Sequence, residues 1–276
     1  MNDESDRNKQ PNLNQDSLNK GMTGWLWVKQ GFEIFRKQPA EMLSTFFGYL
    51  FLVLTLTVIP LLGQIAYIVL IPTLVMGFMQ ACHKTQKNER VNFLILFDGF
   101  RSPAFSRLLL LGAFHFFAAL IAASVFLFVV DDVVLEALKT QQKIDISVIA
   151  KSNIAIAMLL AMLAYLPAQM AFWYAGPLIM WNGMSVGKAM FYSFVAVKRM
   201  WRAFLGFGAS WVLIIIFFQL LASLLVALFS GDQFFVMIII TPVFFALTTV
   251  IFCSFYPNYI NVFGTPDHSV IMNEDE

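Results

Sequence analysis

His115, in the run Gly-Ala-Phe-His-Phe-Phe-Ala-Ala-Leu (112–120), is the side chain best equipped for chemistry in this 276-residue chain. It stands inside an apolar stretch, where an imidazole could take up a proton or ligate a metal. A metal needs further ligands, and this stretch offers neither a second His nor a carboxylate. A neutral ring hydrogen-bonded to a neighbouring backbone group is the plainer reading. Gln169 and Gln219 are also expected to face a bundle interior, because amides are poorly accommodated by lipid. With Ser124, Ser210, Ser223, Thr241, Thr248 and Thr249 they could line a path for an uncharged solute. Hydrogen bonds between helices, worth about 0.6 kcal/mol each in membranes, account for the same residues.

Pro72, Pro167, Pro177 and Pro242 could be hinges or unwound binding segments, or equally static kinks. The methionines around 158–190 lack a repeated convergent motif and read as packing. No phosphate loop, nucleophile elbow, zinc-protease helix or carboxylate pair is present. No catalytic, cofactor-binding or metal-binding residue is therefore assigned, an enzyme is not expected, and nothing supports nucleic-acid binding. Cys82 and Cys253 are the only cysteines, too few for a disulfide framework.

These residues have to be positioned by membrane-spanning elements. The chain is 59% hydrophobic and 13% charged, with a mean hydropathy of +0.73. A soluble domain is about a quarter charged, so a polytopic membrane protein is expected. Met42 to Cys82 carries no charge over 41 residues, about twice the ~20 residues that cross a bilayer. Pro60 and Gly63 punctuate it. Repeating this reading predicts six helical spans at about 42–60, 64–82, 108–130, 154–181, 203–229 and 234–256, the fourth long enough to tilt or to break at a proline. Only helices are admissible, since open sheet edges cannot be satisfied in lipid. A polar tail (1–23), expected to be disordered, precedes this domain (24–264), and an acidic tail (265–276) follows it.

Cations set the orientation. Arg7, Lys9, Lys20, Lys29, Arg36 and Lys37 precede the first span. Lys84, Lys87, Arg90, Arg101 and Arg107 follow the second, and Lys188, Lys198, Arg199 and Arg202 follow the fourth. Opposite them stand only Lys139, Lys143 and Lys151, fifteen against three. Both termini are expected in the cytoplasm.

Three stretches beside those cations read as amphipathic helices on the cytoplasmic face: 24–39, 91–107 and 184–202. In the first, Trp25, Trp27, Val28, Phe32, Ile34 and Phe35 fall on one half of a helical wheel. Lys29, Gln30, Glu33, Arg36 and Lys37 fall on the other. In the last, Lys188, Lys198, Arg199 and Arg202 oppose Met190, Phe194, Val197 and Trp201. Such helices would meet anionic headgroups at about 1 kcal/mol per cation; a segment folded onto the loops is the alternative for the first. Each precedes a transmembrane hairpin, and Pro72, Pro177 and Pro242 recur in the returning spans, which suggests a threefold hairpin repeat.

The stretches "GWLWVKQGFEIFRKQP" (24–39), "VIPLLGQIAYIVLIPTLVMGFMQAC" (58–82), "GPLIMWNGMSVGKAMFYSFVAVKRMWRAFLGF" (176–207) and "FYPNYINVFG" (255–264) resemble an uncharacterised family of proteobacterial six-helix inner-membrane proteins. The likeness covers about residues 24–264 and implies location in the bacterial inner membrane and architecture, without an activity. The long polar N-terminal tail departs from it. The residues favour a non-enzymatic accessory, scaffold or lipid-interacting component of the cell envelope. Its expected partners are the bilayer, anionic headgroups and a membrane-protein partner. A transporter or flippase for an apolar or uncharged substrate is the alternative.

Overall fold

The computed structural model describes residues 21–140, 152–228 and 233–266. The tail before Gly21, Lys143, Asp145 and Lys151 of the 131–153 loop, the turn between the last two spans and nearly all of the acidic tail lie outside the described residues. In chain order the helices are α1 (Gly21–Lys37), α2 (Pro39–Thr57), α3 (Leu62–Gln86), α4 (Asp98–Arg101), α5 (Phe105–Val129), α6 (Asp132–Thr140), α7 (Ile154–Phe172), α8 (Ala175–Asn182), α9 (Val186–Arg199), α10 (Trp201–Leu228) and α11 (Gln233–Phe263). A 3-10 turn, Phe93–Phe97, precedes α4. Among the described residues six helices are long and apolar enough to span a membrane, α7 and α8 together forming the fourth. The protein is all-α and polytopic, as its composition demands.

The chain divides into two compact units. One comprises the described residues between Ser44 and Val197, and α3 is its centre: half of its apolar stretch is buried, against 17% for α5 and 11% for the fourth span. α5, the 3-10 turn, α4 and α8 all pack on α3, and α7 packs on α5. Lipid tails are as apolar as leucine, so close packing rather than hydrophobic contrast joins such helices. Gly112 of α5 lies against the Val69 backbone, and a Cβ on Gly77 would sit 2.5 Å from the Leu96 Cα. The α2–α3 turn depends on Gly63 in the same way, because a Cβ there would strike the Leu56 carbonyl. At the far end of α5, Asp131 and Asn153 close a loop reciprocally. The Asp131 N–H donates to Asn153 Oδ1 at 2.9 Å and the Asn153 N–H to Asp131 Oδ2 at 2.8 Å. Asn153 Nδ2 also donates to the Val129 carbonyl at 2.6 Å. Asp131 thus acts as a clamp on this loop.

The second amphipathic stretch is not one continuous helix. Asn92 accepts the Leu94 N–H and starts the 3-10 turn, and α4 stops at Arg101. Ser102 is extended (φ −72°, ψ 142°) because Pro103 follows it. The three surface elements proposed as repeats therefore differ in length and form.

The other unit joins the described residues up to Leu43 to those between Lys198 and Thr265. Here α1 packs on both α10 and α11. Its seam consists of Thr23, Gly24, Trp27, Val28, Gly31 and Ile34, all buried. Gly24 meets the α10 backbone at Ala203, Gly206 and Phe207, and a Cβ on Gly31 would sit 2.8 Å from the Ser254 Cβ of α11. Between the glycines the Trp27 indole packs edge-to-face with Phe204 and Phe207, with centroids 5.6 and 6.0 Å apart. Phe32 stacks on Trp211, and Gln30 accepts a hydrogen bond from Asn261.

Candidate functional site

The fourth span is gripped from two sides. On the first, His115 of α5 meets α7: Nε2 lies 2.6 Å from the Tyr165 hydroxyl, and the imidazole stacks on Phe172 with centroids 4.7 Å apart and planes 14° apart. Gln169, one turn beyond Tyr165, hydrogen-bonds the same phenol. The expected backbone partner of His115 is thus corrected to a tyrosine side chain. His115 is ten residues from the start of α5, about 15 Å along the helix at ~1.5 Å per residue. All three polar residues are partly buried, and the cluster ties two spans together deep in the apolar layer. The helical period places Tyr165, Gln169 and Phe172 on one face of α7. Tyr165 escaped the sequence reading because a tyrosine in a span is unremarkable until an imidazole is seen opposite it.

On the opposite face of α7, the helix breaks at Trp173 and Tyr174. Pro177 accounts for the position. Its ring clashes with the carbonyl four residues upstream, that of Trp173, and it has no N–H to offer that carbonyl. The next rung of an unbroken helix would join the Tyr174 N–H to the Met170 carbonyl. Instead the Ser193 hydroxyl of α9 stands between them. It accepts from the Tyr174 N–H at 2.9 Å and donates to the Met170 carbonyl at 2.8 Å. Ser193 is fully buried and Tyr174 nearly so. Sequence reasoning missed Ser193 because it lies in the surface helix, outside the spans searched for polar groups. Just beyond, Gly183 ends α8 in the left-handed conformation (φ 64°), and Arg107 caps it by donating to the Gly183 carbonyl at 2.6 Å.

The other polar candidates are engaged within their own helices. Gln219 is exposed on α10 rather than inward-facing, and its carbonyl accepts from Ser223. Ser124, Ser210, Thr248 and Thr249 likewise bond the carbonyl four residues back in their own helices. The expected bonds between helices give way to local ones, which are always within reach of a short hydroxyl side chain. Pro72 and Pro242 lie within unbroken helices, so Pro177 alone of the three returning-span prolines accompanies a break.

The cations occupy exposed faces, but the apolar residues that the helical wheels set opposite them are divided between exposed and buried sides. On α1, Lys29, Arg36 and Lys37 share the exposed face with Met22, Trp25 and Leu26, which are 69%, 46% and 46% exposed. Trp27, paired with Trp25 on the wheel, belongs to the glycine seam. On α9 the buried face is Val186, Ala189, Ser193 and Val197. The exposed one carries Lys188, Phe191, Tyr192, Val195, Lys198 and Arg199 together. Lys188 Nζ lies 6.0 Å from the Tyr192 ring centroid, and the Arg202 guanidinium lies 5.4 Å from that of Trp201. The wheels erred because the protein-facing sides also take in small residues, Gly24 and Gly31 on α1 and Ala189 and Ser193 on α9, which an apolar score undervalues.

Six helices long and apolar enough to cross a membrane, among the described residues, define a multi-pass α-helical membrane protein. The chain is 32% identical over 256 residues to a probable inner membrane protein of Burkholderia thailandensis, an alignment covering 89% of this chain and 92% of that one. The chain belongs to the family of that inner-membrane protein. No family model matches the chain, and no solved structure matches it.

Proposed function

We propose that this inner-membrane protein is a non-enzymatic, lipid-interacting component of the cell envelope. In this reading both termini are cytoplasmic, and α1 and α9 rest on the inner leaflet and bind anionic headgroups. The observation that carries it is the composition of the two exposed faces: each mixes cations with large apolar side chains while the opposite face is used inside the protein. That mixture suits an interface in which rings and methylenes enter the acyl boundary and ammonium or guanidinium groups stay among phosphates. A face bound for water would not expose Trp25, Leu26 and Phe191. The fifteen-to-three distribution of cations supports the orientation. A path for an apolar or uncharged substrate has the break at Trp173–Tyr174 in its favour, but Gln219 is exposed and the hydroxyl side chains are engaged by carbonyls of their own helices.

Spin-labelled phosphatidylglycerol and phosphatidylcholine, added to vesicles holding the full chain, test the reading. Phosphatidylglycerol is expected to associate more strongly at low salt and to lose its advantage as salt rises. At about 1 kcal/mol per cation, each neutralised residue of Lys29, Arg36 and Lys37 lowers the preference about fivefold. Equal association of the two lipids at low salt would refute lipid recognition.

A further inference from the structure

We propose that Ser193 couples α9 to the fourth span, so that the seating of α9 on anionic headgroups sets the bend between α7 and α8. This rests on the reading of α9 as a lipid-binding helix and adds a consequence for the membrane interior.

The coupling element is the displaced rung. A single hydroxyl both accepts from the Tyr174 N–H and donates to the Met170 carbonyl, which among small side chains only Ser and Thr can do. Ser193 and Tyr174 are shut off from solvent. The rung therefore has two defined states. It is bridged, with the helix opened at Trp173–Tyr174, or it is closed directly between Tyr174 and Met170, with a straighter helix and Ser193 withdrawn. A side-chain insertion of this type is a known cause of sharp bends.

Ser193 has a one-torsion side chain, so its oxygen moves wherever the α9 backbone moves. A displacement of about 1 Å takes a hydrogen bond of this length outside bonding range. Residues on either side of it in sequence face outward: Phe191 is 65% exposed, Tyr192 46% and Val195 38%, with Lys188 beside them. One helix thus carries the headgroup-binding side chains on one face and the oxygen that holds the bend on the other. Across α7 from that oxygen, Phe172 stacks on His115 and Tyr165 bonds it. A change of bend is therefore transmitted to the polar tie deep in the membrane.

The test uses the full chain in vesicles, with Cys82→Ala and Cys253→Ala removing the native thiols. Spin labels at Met162→Cys on α7 and Asn182→Cys at the end of α8 report the bend as a distance. A label at Phe191→Cys in a parallel sample reports contact with headgroups. Replacing part of the phosphatidylcholine by phosphatidylglycerol should shift the distance distribution in the Ser193 protein, leave it unmoved in Ser193→Ala, and shift it again in Ser193→Thr. Combined Lys188→Gln, Lys198→Gln and Arg199→Gln, which leaves the rung intact, should abolish the shift as well. The coupling is overturned if Ser193→Ala responds like the Ser193 protein, or if the distance ignores the lipid while the Phe191 label gains headgroup contact. If that label gains no contact with phosphatidylglycerol, the lipid-binding reading of α9 fails and takes the coupling with it.

Discussion

Replacing Gly24 by alanine asks how closely α1 is bound to the spans behind it. The added methyl would overlap the Ala203 carbonyl and the Phe207 nitrogen and lie 2.6 Å from the Gly206 carbonyl carbon. Carbon contacts are comfortable at about 3.5–4.0 Å, and all three obstacles are backbone, so no side-chain rotation relieves the clash. The helix must retreat by about 1 Å at this crossing, which forfeits a quarter to a half of the dispersion attraction along the gap. Overpacking of this kind costs about 1–3 kcal/mol. Alanine is worth up to about 1 kcal/mol more than glycine inside a helix, which acts the other way, so a net loss of about 1–2 kcal/mol is expected. Gly208→Ala is the matched control: it sits in the adjoining span, where a Cβ meets nothing within 4 Å, and should be neutral or stabilising. Denaturant unfolding of the full chain in detergent measures both. A thiol at Val28, fully buried in the seam, should become reactive to maleimide only in the Gly24 variant. Equal stability of the two alanine variants, with Val28→Cys inert in both, would refute the glycine seam.

Tyr165→Phe deletes the hydroxyl that bonds His115 and should cost about 0.6 kcal/mol, at most ~1.7, as bonds between membrane helices do; unfolding in the same detergent reads it. Asn153→Ala removes the side-chain oxygen that accepts from the Asp131 N–H and the side-chain nitrogen that donates to the Val129 carbonyl, and leaves the backbone donation to Asp131 in place. It should cost about 1–3 kcal/mol and speed proteolysis between Asp131 and Asn153. Reporters fused to the two chain ends should both read cytoplasmic; opposite readings would mean an odd number of crossings and overturn the orientation.

Much of the fold was legible because lipid imposes a simple grammar. Apolar runs bounded by Arg107 and Asp131, or split at Pro60 and Gly63, correspond to helices with few alternatives. The break in the fourth span was legible in part: Pro177 was recognised, and the interruption falls three to four residues before it, where its ring acts. Contacts between helices were much less legible. They depend on Gly24, Gly31 and Gly112, which score as neutral on any apolar wheel although they set the closest approaches. The wheel therefore put Trp25 and Trp27 on one side, whereas the seam takes Trp27 and leaves Trp25 exposed. Ser193 and Tyr165 were passed over because a polar side chain shows its role only when its partner comes from another part of the chain.

The depth of the exposed face of α1 is the most direct test of its place in the membrane. Spin labels introduced singly at Met22, Trp25, Leu26, Lys29 and Arg36 can be ranked by their collisions with oxygen, which favours lipid, and with a water-soluble nickel chelate. The first three should lie about 5–10 Å into the headgroup and acyl boundary, with Lys29 and Arg36 at the level of the phosphates. If all five labels collide with the chelate as freely as a label in water, α1 does not rest on the bilayer, and the lipid-binding role proposed for it is wrong.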